Sequence, residues 1–200
     1  MRITFSIAVL SIAFAGFLDA AEPKPEKYWS EYHRGMKEPS LESAKVGDSD
    51  FQFRWTRLDS SHDPMVVRVW REHGKTRCRC VRLKYRLDFS VGPIRIDRTI
   101  PLTDEQTTQL RTLIASDGFW SPLSDQEQAT YDGLLGGAHW LLEARDASGY
   151  RFLSMFSPVL VAFDHDLSVK CRDQRVYIDT ANFLLKATRL FPDQTEGTSY

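Results

Sequence analysis

From Phe51 the apolar and polar positions alternate: Phe51, Phe53 and Trp55 fall on one side, Gln52, Arg54 and Thr56 on the other. A period of two is that of a half-buried β-strand, because successive side chains leave a pleated backbone on opposite faces. The turn formers "DSSHDP" break the pattern, and Met65 to Trp70 resumes a β-rich run that ends at "EHGKT", a Gly-containing hairpin signal. A third strand is expected from Arg77 to about Phe89, and "SVGP" separates it from a fourth at Ile94 to Ile100. Four sequential strands with short connections predict an antiparallel meander.

At "LTDEQTTQLRTLI" the period becomes helical, with Leu110, Leu113 and Ile114 on one stripe. Thr103 as N-cap and Gln106 three residues on form a capping box, so a helix is expected over Asp104 to Ser116, with Gly118 just beyond its end. Phe119 and Trp120 return to the core, and residues 121–137 read as a long polar surface loop. "AHWLLEARDASGYRFLSMF" is two β-rich runs around "DASG", a second hairpin. A final helix is expected near Asp173 to Leu190, where Val176, Thr180, Phe183, Leu184 and Ala187 recur at three and four. This order predicts an α+β fold: an antiparallel sheet, made of a four-stranded meander plus a later hairpin, with two helices packed on one face.

The ends look different. "MRITFSIAVLSIAFAGFLDA" has one basic residue, then an uncharged run from Ile3 to Leu18 and small residues at Ala20 and Ala21, the pattern of a secretory signal peptide over 1–20. The chain is therefore expected to be exported, periplasmic or extracellular, touching a membrane only through that leader if it stays uncleaved. Nucleic acid is not an expected partner of an exported chain. Residues 21–50, with three of the nine prolines and many charges, read as an extended or disordered arm. Its aromatic knot of Tyr28, Trp29, Tyr32 and His33 is set to dock on the domain or on a partner. A single domain over 51–193 and a flexible tail over 194–200 complete the division.

Charge adds a gradient. The 26 basic and 27 acidic residues nearly cancel, yet residues 51–100 hold 12 basic and 5 acidic side chains while 101–200 hold 8 and 14. The basic half either faces an anionic partner or is neutralised by the acidic half inside one fold.

The segment from Leu102 to Pro158 adds a resemblance. "LTDEQTTQLRTLI", "FW" at Phe119 and Trp120, "GGAHWLLE" and "YRFLSMFSP" are similar to a pattern of small exported bacterial proteins with no assigned chemistry. The resemblance implies an exported α+β domain and carries over no active site.

The candidate residues are few. No nucleophile elbow, P-loop, dinucleotide fingerprint or zincin helix occurs. In "KTRCRCVRLKYR", Val81, Leu83, Tyr85 and Leu87 take one strand face and Cys78, Cys80, Arg82, Lys84 and Arg86 the other, which is read as solvated and basic. Arg82, Lys84 and Arg86 are then candidate ligands for an anion. Arg77 and Arg79 fall on the core parity, where a charge is unfavourable. Nearby cations are expected to depress the pKa of thiols on such a face and make them reactive. The three cysteines allow a bridge from Cys78 or Cys80 to Cys171, three unbridged thiols, or redox or metal chemistry. "FDHDL" offers Asp164, His165 and Asp166, but alternation sends the histidine away from its neighbours, and a solvated turn is preferred. The acidic Asp125, Glu127, Asp132 and Asp146 are read the same way. His139 and Glu143 share a face on one strand and are the weak candidates for catalysis.

Together these residues favour a non-catalytic exported binding or envelope-associated domain that meets an anionic ligand through its basic strand face, with no cofactor and no metal. The alternatives are a thiol-dependent redox protein or hydrolase, and a partner-binding module built on the aromatic arm.

Overall fold

The computed structural model describes residues 27–47, 50–88, 90–132, 134, 137–156, 158–164 and 171–189. The leader, the tail after Arg189 and most of "FDHDL" lie outside these residues. Six strands form one open antiparallel sheet: β1 (Phe51–Asp59), β2 (Met65–Glu72), β3 (Lys75–Leu83), β4 (Ile94–Pro101), β5 (Ala138–Asp146) and β6 (Gly149–Phe156), in the order β4-β3-β2-β1-β5-β6. Helices α1 (Lys27–Gly35), α2 (Asp104–Ile114), α3 (Asp125–Asp132), α4 (Pro158–Phe163) and α5 (Arg175–Thr188) accompany it. The class is α+β.

Local chemistry sets these boundaries. His73 and Gly74 both have positive φ, 50° and 75°, the geometry of a two-residue hairpin turn whose twist matches the strands it joins. At α2 the Thr103 hydroxyl accepts from the Gln106 backbone N–H while the Gln106 side chain accepts from the Thr103 N–H, the capping box expected from sequence.

Both faces of the sheet are covered. On one, Phe53, Trp55, Val67, Val69, Trp140 and Leu142 share an apolar cluster with Leu110 and Ile114 of α2 and Tyr177, Ala181 and Leu184 of α5. Trp55 and Trp140 meet edge to face at 5.0 Å, and the Tyr177 hydroxyl donates to the Phe119 carbonyl at 3.0 Å. On the other, Trp29, Tyr32 and Met36 pack on Leu58, Val66, Val81, Leu83 and Leu141.

Three expectations are corrected here. Residues 27–35 are a helix rather than an extended arm: Trp29 and Tyr32 of α1, with Met36 just past its end, recur at spacings of three and four and are buried against the sheet. The loop at 121–137 contains α3, whose start is secured by Ser124 and Glu127 bonding to each other's backbone N–H. Strand β3 stops at Leu83 rather than near Phe89, after a register shift against β4. There Asp63 takes over, accepting from the Tyr85 N–H at 2.7 Å and from Arg95 at 2.9 Å. Gly92 lets the chain pass close by, because a Cβ on it would stand 2.0 Å from the Lys84 carbonyl oxygen.

Candidate functional site

The α1-covered face of the sheet carries a row of charges. Cross-strand register places Arg79 opposite Arg68, Arg68 opposite Arg54, and Arg54 opposite Glu143, so four ionisable side chains on four adjacent strands stand side by side. Arg54 is 2 % exposed and Glu143 3 %, so each needs an ionic partner to remain charged. They supply it to each other: Arg54 Nε donates to Glu143 Oε2 at 2.6 Å and Nη2 to Oε1 at 2.7 Å, a fork that satisfies both carboxylate oxygens. Tyr150 adds an O–H donor to Oε1 at 2.8 Å, and burial followed by the Glu143 charge pushes the phenol's pKa up.

The other end of the row closes on Glu38, just beyond α1. Arg68 Nε reaches its Oε2 at 2.7 Å, Arg79 Nη1 its Oε1 at 2.5 Å, and Arg54 Nη1 lies 3.8 Å from Oε2. Arg54 and Arg79 also donate to the Pro39 and Lys37 carbonyls, at 2.7 and 3.2 Å. The row therefore fixes the segment after α1 through its backbone as well as its side chain. Arg79 makes a second fork with Asp97 of β4 at 2.8 Å on both arms. That contact, above the others, keeps Arg79 cationic.

His33 of α1 stands above Thr56, its Nε2 2.8 Å from the Thr56 Oγ1 and 3.9 Å from Glu143 Oε2. Burial, then the Arg54 charge, lowers its pKa to about 4, with Glu143 opposing, so the imidazole is neutral near pH 7. Histidine, threonine and glutamate are the residue types of a nucleophilic triad, but the arrangement is not one. A relay needs one ring nitrogen on the hydroxyl and the other on the carboxylate, whereas here the same nitrogen faces both. Thr56 is fully buried, and two surface grooves lie elsewhere, one of about 520 Å³ along α2 and α5 at Gln109, Leu113, Asp179 and Phe183, the other beside Arg71 and Arg111. What the cluster can do is hold charge and pin α1 to the sheet.

The residues singled out from sequence fare differently. Cys78 and Cys80 are fully buried among Val67, Val69 and the α2 and α5 side chains, not on a solvated face. The alternation was placed correctly, but both faces of the sheet are covered. Burial pushes the Cys78 thiol up to about 12 and raises Cys80 as well, the reverse of the activation expected from basic neighbours. No disulfide joins Cys78, Cys80 or Cys171. Arg82 pairs with Asp63 at 3.0 Å, and Lys84 and Arg86 lie past the end of β3, so the three form no common strand face. Glu143 is committed to Arg54 and Tyr150, while His139 is exposed, its ring 4.5 Å from Phe156 and 6.4 Å from Trp29. The structure does not bring His139 and Glu143 together. Trp29 and Tyr32 are buried against the sheet, so this part of the knot presents no binding surface.

Glu127 is no solvated loop carboxylate either. Arg172 grips it with Nε at 2.7 Å and Nη2 at 2.9 Å, while its remaining donors reach the Ser121 and Pro122 carbonyls. The Arg172 bonds above all hold the Glu127 pKa below the usual carboxylate range. Asp164 follows α4, and His165 and Asp166 lie outside the described residues. Among the described residues no three His, Cys, Asp or Glu side chains converge as a metal site would require.

The sequence reading missed Glu38, Arg54 and Arg68, and named His33 only as a member of the aromatic knot. One signal was present, the arginine at core parity, Arg79. Its counterparts Arg54 and Arg68 sit at the same alternation on strands whose other face is plainly apolar. No protein-family model matches the chain, and no curated protein matches it.

Proposed function

We propose that the chain is an exported, non-catalytic binding domain that engages an anionic envelope partner through cations at the β3–β4 edge of its sheet. One observation carries this reading. Lys75, Arg77 and Arg98 are exposed there and make no ion pair among the described residues, whereas Asp97, the acidic side chain of that edge, is taken by Arg79. The basic excess of residues 51–100 is thus neutralised internally at Arg54, Arg68, Arg79, Arg82 and Arg95, and a residue of it remains on the surface.

The edge strand favours a charged partner over an added strand. β4 carries Arg95, Asp97, Arg98 and Pro101, and charges and proline discourage backbone pairing at a sheet edge. In this reading α2 and α5 form one layer over the Cys78 and Cys80 side of the sheet, and the cations flank the edge, Arg98 on that side opposite Cys80 and Arg77 on the α1 side. The thiol and hydrolase alternatives have no such support, since Cys78 and Cys80 are buried and Glu143 is locked in an ion pair.

The experiment is retention on an immobilised anionic polysaccharide as salt is raised. Retention at low salt that is lost toward about 0.5 M supports the reading, because screening at that ionic strength removes interactions beyond a few ångströms. Passage without retention at low salt overturns it.

A further inference from the structure

Three arginines on neighbouring strands are an unusual thing to build beneath a helix. Like charges about 5 Å apart repel, and the row holds together only because carboxylates are threaded between them. Arg54 has Glu143 and Arg79 has Asp97, but Glu38 is the one acidic side chain paired with Arg68 among the described residues. Arg68 instead lies over the Trp70 ring, 4.2 Å from its centroid, which orients the guanidinium without neutralising it.

We propose that the Arg54–Arg68–Arg79 row is a carboxylate-binding site and that Glu38 fills it as an exchangeable internal ligand, which a carboxylate on the anionic partner displaces. The geometry is that of carboxylate recognition: separate guanidinium groups address the two oxygens, Arg68 taking Oε2 and Arg79 taking Oε1. The site lies near the surface: the Arg68 and Arg79 side chains are each 13 % exposed and Arg54 closes the floor at 2 %, while the Glu38 carboxylate is fully covered and has to swing out before another can enter. For Glu38 to leave, the exposed turn of Lys37, Pro39 and Ser40 releases its carbonyl bonds from Arg79 and Arg54, while the fully buried Met36 and Leu41 on either side hold the rest of the segment in place. The identity of the external occupant rests on the anionic-partner reading; the receptor property of the row does not.

Replacing Glu38 by Ala empties the site and leaves Arg68 unpaired. Acetate is then expected to raise the Tm of Glu38→Ala by about 3 °C or more over the same concentration of chloride, with little effect on the wild type. Poly-L-glutamate is expected to bind Glu38→Ala about tenfold more tightly than it binds the wild type, since the internal competitor is gone. Equal responses to acetate and chloride overturn the proposal, as does equal affinity of the two proteins for poly-L-glutamate. A larger rise with phosphate than with acetate overturns the carboxylate assignment. Should Glu38→Ala fail to fold, Glu38→Gln keeps the shape and removes the charge, and its tighter binding of poly-L-glutamate is the same test. The acetate response requires no partner, so loss of wild-type retention on an anionic polysaccharide and loss of this response are separate results.

Discussion

Arg54 and Glu143 face each other across the β1–β5 pair with both arms of the guanidinium on both carboxylate oxygens, at 2.6 and 2.7 Å, in a setting almost without solvent. Each charge makes the other tolerable. Glu143→Leu strands the Arg54 cation and is expected to cost about 3–5 kcal/mol in chemical denaturation. The double variant Arg54→Met, Glu143→Leu is expected to regain most of that loss, because no buried charge is left unpaired. Additive losses would show that the two side chains act independently.

His33 gives the fold a pH dependence in a window of its own. Its folded pKa of about 4 lies below the unfolded value near 6.5, so between those limits the unfolded chain binds the extra proton. The His33 contribution is therefore intact above pH 6.5, falls progressively toward pH 4, and levels off below it, a loss of about 3 kcal/mol at most. Carboxylates with lowered pKa values act at lower pH. Asp59 is an example: burial opposes the shift, yet bonds from His62, Ser61 and Arg57 bring it down to about 2, so its contribution is lost as pH falls through that value. Urea denaturation of His33→Gln across pH 4 to 7 checks the assignment, the expected outcome being a flatter profile in that interval.

Cys78 and Cys80 behave as small core residues. A thiol reagent at pH 8 is expected to leave both unmodified in the folded protein and to modify them once the chain is denatured, since burial withholds both access and the thiolate. Cys80→Ser is expected to cost about 1–3 kcal/mol by placing a hydroxyl in an apolar cluster, and Cys80→Ala less. Fast modification of either cysteine in the native state would restore the reactive-thiol reading.

Arg172 ties the start of α5 to α3 through a planar fork plus two backbone carbonyls. A lysine keeps the charge and loses that geometry, so Arg172→Lys is expected to destabilise the fold by about 2 kcal/mol in thermal or chemical unfolding.

Much of the scaffold was legible because local rules agree with the tertiary structure: the alternation of β1, the capping box of α2, the hairpin signal at His73 and Gly74, and the three-four stripe of α5 are all read within a few residues. The misplaced faces have one physical cause. Alternation tells which residues share a face but not whether that face is covered: α2 and α5 cover the Cys78 and Cys80 side of β3, and α1 covers the Arg54 and Thr56 side of β1. The N-terminal prolines and charges concealed a helix that buries Trp29 and Tyr32, with Met36 just past its end, and the capping pair Ser124 and Glu127 was passed over inside a polar segment. The charged row was invisible for a different reason: Arg54, Arg68, Arg79, Glu38 and Glu143 become neighbours only through strand register and chain return.

The reading of the β3–β4 edge as a surface for an anionic partner is tested most directly by comparing the wild type with Arg77→Gln, Arg98→Gln on an immobilised anionic polysaccharide. Both positions are exposed and unpaired among the described residues, so the double variant keeps its fold while losing surface charge. The account predicts that the wild type is held at low salt and the double variant elutes at clearly lower salt. Elution of the two proteins together, or of the wild type without retention, contradicts it.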